Sequence, residues 1–107
     1  MTREQIGKVL LRAADIIEKR GWCQGRYSDY DGRFCAVGAI LNVTESCVLQ
    51  QASRRFLAEH LPNQNVTAWN DVKNRRKKHI IDKMRAVAKL AIAKPKPKRP
   101  KKAWYEK

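Results

Sequence analysis

Three segments with helix-period spacing of apolar residues, cap and stop signals at their ends, and an ordinary apolar share predict a mainly α fold. The expected architecture is a small bundle of about four helices. A Gly/Asp-rich loop follows the first helix and an extended Lys/Pro tail closes the chain. The 107 residues make one domain. A chain of this size buries roughly 60–70% of its unfolded surface, which leaves room for one core and at most a shallow site. An apolar share of 43% argues against wholesale disorder.

The first helix is expected over residues 3–20. Thr2 and Gln5 form a capping box, each side chain satisfying the other's orphan backbone donor. Ile6, Val9, Leu10, Ala13, Ala14 and Ile17 then make one buried stripe. Lys19 and Arg20 oppose the negative end of the helix dipole, and Gly21 stops the helix. Residues 21–34 read as a loop, with Asp31-Gly32 as a tight-turn signal and room for a small hairpin. Residues 35–41 are short, apolar and rich in small side chains. Close packing against the first helix favours a short helix over a buried strand there.

Thr44 or Ser46 caps the next helix, whose stripe is Val48, Leu49, Ala52, Phe56, Leu57 and Leu61. Pro62 and Asn63 end it, and residues 62–68 read as a polar loop. Trp69-Asn70-Asp71 leads into a long basic helix at about 75–93. Asn74 or Asn70 is its expected N-cap, and Ile80, Ile81, Met84, Val87, Ala88 and Ala91 are its apolar stripe. From Pro95 the periodicity stops, and each proline biases its predecessor away from the helix. A helical domain at 1–93 and a polyproline-like basic tail at 94–107 follow, the tail with a reach of ~3 Å per residue.

The charge is unevenly placed. Residues 1–62 carry 9 basic and 7 acidic side chains, residues 63–93 carry 8 and 2, and residues 94–107 carry 7 and 1. Twelve of the fourteen net positive charges therefore lie after residue 62. A polycationic block repels itself until a polyanion neutralises it, and nucleic acid is the partner expected, with DNA favoured. The cations assigned to phosphate contact are Arg75, Arg76, Lys77, Lys78 and Arg85 on the helix. On the tail they are Lys94, Lys96, Lys98, Arg99, Lys101 and Lys102. Trp104 is placed to stack on exposed bases. Lys98-Arg99-Pro100-Lys101-Lys102 resembles part of an AT-hook but lacks an Arg-Gly-Arg-Pro centre, so little sequence preference is expected.

Other chemistry is outweighed by simpler readings. Cys23, Cys35 and Cys47, with His60 and His79, supply zinc-ligand types without the paired spacing of a zinc site. They are read as packed thiols, with no metal and no cofactor. Cys23, His60 and Asn70 are the residue types of a thiol-protease triad, but the chain offers little cleft, and a non-enzymatic protein is expected. Asp29 and Asp31 read as turn residues rather than paired catalytic carboxylates. Trp22 and Trp69, with Asn70 and Asp71, read as structural. Met1-Thr2-Arg3-Glu4-Gln5 lacks an apolar signal region, and no run nears the ~20 apolar residues of a membrane span. Three cysteines fit a reducing cytoplasm.

Three strings carry a resemblance: Arg20-Gly21-Trp22-Cys23-Gln24-Gly25, then Asp31-Gly32-Arg33-Phe34-Cys35-Ala36-Val37-Gly38-Ala39-Ile40, then Trp69-Asn70-Asp71. Over about residues 5–92 the chain resembles a family of small uncharacterised proteins from actinobacteria and their phages. In that family the last helix opens with Arg-Thr and a Glu three residues on. Here Arg75-Arg76-Lys77-Lys78-His79 puts charge in place of that cap. The resemblance implies a small, mainly helical fold and a phage origin, and it implies no reaction. It also raises a second role, an interaction protein that binds and inhibits a host protein.

Overall fold

A computed structural model describes residues 2–62 and 64–93. It contains α1 (Arg3–Arg20), α2 (Ala36–Val43), α3 (Cys47–Glu59), α4 (Val66–Asn70) and α5 (Lys77–Ile92). The expected mainly α bundle is what forms, with one additional short helix. Among the described residues the β pairing amounts to two isolated bridges, Trp22 with Phe34 and Ser28 with Phe34.

The capping box at the start of α1 is complete. Gln5 N–H donates to Thr2 Oγ1 at 3.1 Å, and Thr2 N–H donates to Gln5 Oε1 at 2.9 Å. The apolar stripe of α1 packs along α5, which runs antiparallel to it. At one end Arg3 Nη2 donates to the Leu90 carbonyl at 3.0 Å, and at the other Lys77 Nζ donates to the Glu18 carbonyl at 3.2 Å. Gly7 permits the close approach, since a Cβ there would meet the Ala88 carbonyl oxygen at 2.9 Å and the Ile92 side chain. Leu10, Ile17, Ile40, Leu57, Ile80 and Met84 are fully enclosed in the shared core.

Residues 36–43 resolve the strand-or-helix ambiguity in favour of α2. Cys35 caps it through Sγ, which accepts from Gly38 N–H at 3.3 Å. α3 is capped by Ser46, whose Oγ accepts from Leu49 N–H at 3.1 Å.

Two local expectations are corrected. Residues 66–68 are not loop but part of the one-turn helix α4, capped by Asn65, whose Oδ1 accepts from Ala68 N–H at 2.9 Å. The last helix opens at Lys77 rather than Arg75. Its N-cap position is Arg76, which supplies no capping hydrogen bond. Neither expected asparagine can serve. Asn74 sits at φ +70, where it makes the turn, and an N-cap needs extended backbone. Asn70 lies inside α4 with its amide buried. The Lys/Pro tail at 94–107 lies outside the described residues.

Candidate nucleic-acid interface

The segments that stood out in the sequence meet at one place. Asn70 is fully buried, and its amide joins three chain segments. Oδ1 accepts from Trp22 Nε1 at 2.7 Å and from Ala36 N–H, at the start of α2, at 3.0 Å. Nδ2 donates to the Cys23 carbonyl at 3.1 Å and to Asp71 Oδ1 at 2.9 Å. All of the amide's hydrogen-bonding capacity is used, which is what a buried polar group requires. The flanking residues extend the lock. Gln24 Nε2 donates to the Asn70 and Val72 carbonyls, both at 3.0 Å, and Gly25 N–H donates to Asp71 Oδ1 at 3.0 Å. Gly-Trp-Cys-Gln-Gly and Trp-Asn-Asp are therefore two halves of one junction that fixes the loop to α4 and the start of α2.

Burial pushes the Cys23 thiol up from its ordinary range, with Cys35 and Asp29 adding in the same direction. Burial raises Cys35 as well. Both thiols are held in the neutral form, the opposite of what activates a cysteine nucleophile. His60 Nδ1 lies 2.9 Å from the Phe56 carbonyl and its ring packs on Phe56, so the structure does not join it to Cys23 and Asn70. Among the described residues no group of three or more His, Cys, Asp or Glu side chains is arranged to hold a metal ion. Asp29 is a turn residue as expected. Its carboxylate accepts from the Asp31 and Arg33 backbone N–H groups and pairs with the Arg33 guanidinium at 2.6 Å. Those bonds, led by the Arg33 backbone N–H, hold its carboxyl below the usual range.

Residues 1–90 match the model of a family of unknown function, DUF6197. The chain belongs to DUF6197. No curated protein and no solved structure matches the chain. The DUF6197 span contains the whole Asn70 junction and ends within α5, so the Lys/Pro segment that starts at Lys94 lies beyond it.

The cations of the DUF6197 domain are engaged to very different degrees. Arg75 Nε donates to the Trp69 carbonyl at 3.0 Å, and its guanidinium lies 5.5 Å from the Trp69 ring centroid. Arg85 reaches across to α1 and pairs with Glu18 at 2.6 Å and Asp15 at 2.9 Å. Those two acids, Glu18 foremost, raise the Arg85 guanidinium further above its ordinary value. Lys78 pairs with Asp82 at 2.8 Å, one turn along α5. That contact raises the ammonium and lowers the carboxyl. Lys77 donates to the Glu18 carbonyl. The Arg76 side chain is exposed and makes no hydrogen bond or ion pair among the described residues, and the same holds for Lys73 in the preceding turn. The tail residues Lys94, Lys96, Lys98, Arg99, Lys101, Lys102 and Trp104 lie outside the described residues.

Sequence reasoning passed over Arg54 and Arg55 because they sit in the near-neutral part of the chain. Both are exposed on α3, and neither has a side-chain partner among the described residues. Their adjacency was a visible signal. That neither arginine is claimed by an acid of the fold was not visible without the tertiary structure.

Proposed function

We propose that this protein binds nucleic acid, duplex DNA in preference, with little sequence discrimination. The carrying observation is that twelve of fourteen net positive charges follow residue 62. Lys and Arg placed on phosphates release condensed counterions, and this contribution to binding is independent of base sequence. Arg76 and Lys73, at and just before the opening of α5, have no acid partner among the described residues, Lys77 donates to the Glu18 carbonyl, and the Lys/Pro segment adds seven more basic residues. The opening of α5 has four consecutive cations and no acid in its first turn, an arrangement the helix dipole disfavours. A bound polyanion relieves that cost. The reading carries with it a cytoplasmic, non-enzymatic protein.

The test is a binding series of full-length protein and a chain lacking residues 94–107 on duplex DNA across salt. Each phosphate contact contributes ~0.9 to the log–log salt slope, so removing the seven tail cations is expected to flatten it by up to about 6. Truncated protein that binds as tightly, with the same slope, would remove the tail from the interface.

A second reading, a phage-encoded interaction protein that binds and inhibits a host protein, is favoured by a different surface. Tyr27 and Leu41 are exposed beside Phe34 along a shallow groove of about 250 Å³. A specific host protein retained after nuclease treatment, and lost with Leu41→Asp, would support that reading over DNA binding.

A further inference from the structure

The outer face of α3 meets the turn into α4 in an open groove of about 490 Å³. Gln51, Arg54 and Arg55 line it from α3, and Gln64 and Asn65 line it from the turn. Among the described residues no carboxylate lines it. This sets it apart from the places where the fold ties arginine to an acid or a carbonyl. Arg33 is paired with Asp29 and Asp31, Arg85 with Asp15 and Glu18, and Arg75 is committed to the Trp69 carbonyl. The Arg54 and Arg55 guanidiniums and the Gln51 and Gln64 amides have no side-chain partner among the described residues. Gln64 is also held at φ +54, in the left-handed region that side chains other than glycine enter at a cost. Gln64 lines the groove from there.

Guanidiniums present a planar fork of donors that matches phosphate oxygens in pairs, and Gln amides donate to the same oxygens and to sugar hydroxyls. Two arginines and two amides with no side-chain partner, and no carboxylate among the described lining residues, are complementary to a phosphodiester. We propose that this groove is a phosphate-binding site for the backbone of a nucleic acid strand, with Arg54 and Arg55 on the phosphate oxygens and Gln51 and Gln64 beside them. The proposal rests on the nucleic-acid reading above and extends it. The protein then grips nucleic acid on α3 as well as through its C-terminal cations, from the part of the chain whose charge nearly cancels.

The experiment compares full-length protein with two double variants on duplex DNA across salt, by fluorescence anisotropy. Arg54→Gln/Arg55→Gln removes the groove's cations. Arg12→Gln/Lys19→Gln removes two exposed cations of α1 that have no ion-pair partner among the described residues, and serves as the charge-matched control. Thermal unfolding confirms that each variant is folded, as exposed positions lead one to expect. The groove variant should flatten the log–log salt slope by about 1.8, two contacts at ~0.9 each, and the control by less than about 0.5. If the full-length protein binds with a steep slope and the groove variant keeps it, the groove proposal fails and the nucleic-acid reading stands. If the control flattens the slope as much as the groove variant, binding is spread over all cations and the groove proposal again fails. If the full-length protein does not bind nucleic acid, both readings fail together.

Discussion

The Asn70 junction and the opening of α5 lie a few residues apart in sequence and follow opposite physical rules. At the junction, few polar groups are present and each has a partner in the chain. Trp22, Ala36, Cys23 and Asp71 all converge on one amide. At the opening of α5, many charges are present and no side chain caps the helix. The lesson of the contrast is that charge counted along a sequence is not charge offered to a partner. Arg85, Lys78 and Arg75 are committed to Glu18, Asp15, Asp82 and the Trp69 carbonyl. The nearly neutral stretch before residue 63 holds Arg54 and Arg55, with no side-chain partner for either among the described residues.

The contrast can be broken most forcefully at Asn70. Asn70→Ala takes the side-chain partner from the buried Ala36 N–H and from the part-buried Trp22 indole N–H and Cys23 carbonyl. Each buried orphan costs ~1–3 kcal/mol. A loss of about 3–5 kcal/mol in urea unfolding is expected, a large share of the ~5–15 kcal/mol that holds an ordinary domain together. A loss below about 1 kcal/mol would mean that water substitutes for the amide and that the junction does not secure the loop.

A smaller effect, with a diagnostic sign, is expected at Gly38. Helix propensity alone says that alanine inside α2 gains about 1 kcal/mol over glycine. A Cβ built there collides with the Tyr27 carbonyl, which is backbone and already accepts from Cys35 N–H at 3.1 Å. Backbone so tethered cannot swing aside as a side chain would. Overpacking at ~1–3 kcal/mol therefore outweighs propensity, and Gly38→Ala should lower the melting temperature. A rise would show that the loop carrying Tyr27 yields, and that the junction at Asn70 fixes it less firmly than its hydrogen bonds imply.

Much of the fold was legible in the sequence because its signals are local. Thr2 with Gln5, the stripe from Ile6 to Ile17 and Gly21 define α1 from residues a few positions apart. The same holds for the apolar stripe of α5 and the Ser46 cap. What was not legible depends on distant partners. Asn70 reads as a cap because asparagine beside a helix commonly is one. Its actual role needs Trp22, 48 residues away, to be brought beside it. α4 was lost among polar residues because its single turn is too short for periodicity, and Asn65 caps it without an apolar run behind it. The candidate interface was legible as a net charge and illegible as a set of residues, since pairing by acids on another helix cannot be counted along the chain.

The smallest expected effect tests that last point. Arg85 is read from sequence as a phosphate contact, yet its guanidinium lies between Glu18 and Asp15 at the exposed seam of α1 and α5. Exposed ion pairs contribute ~0–1 kcal/mol, so Arg85→Gln should cost less than about 1 kcal/mol in stability. If the two acids hold the guanidinium at home, the salt slope on duplex DNA should change by no more than about 0.3. A residue that contacts phosphate would take ~0.9 with it. A fall near that value would mean that DNA draws Arg85 away from Glu18 and Asp15. The cations of α5 would then be available to a partner despite their contacts, and the division between charge spent inside the fold and charge offered outside it would fail at the residue where it is most clearly drawn.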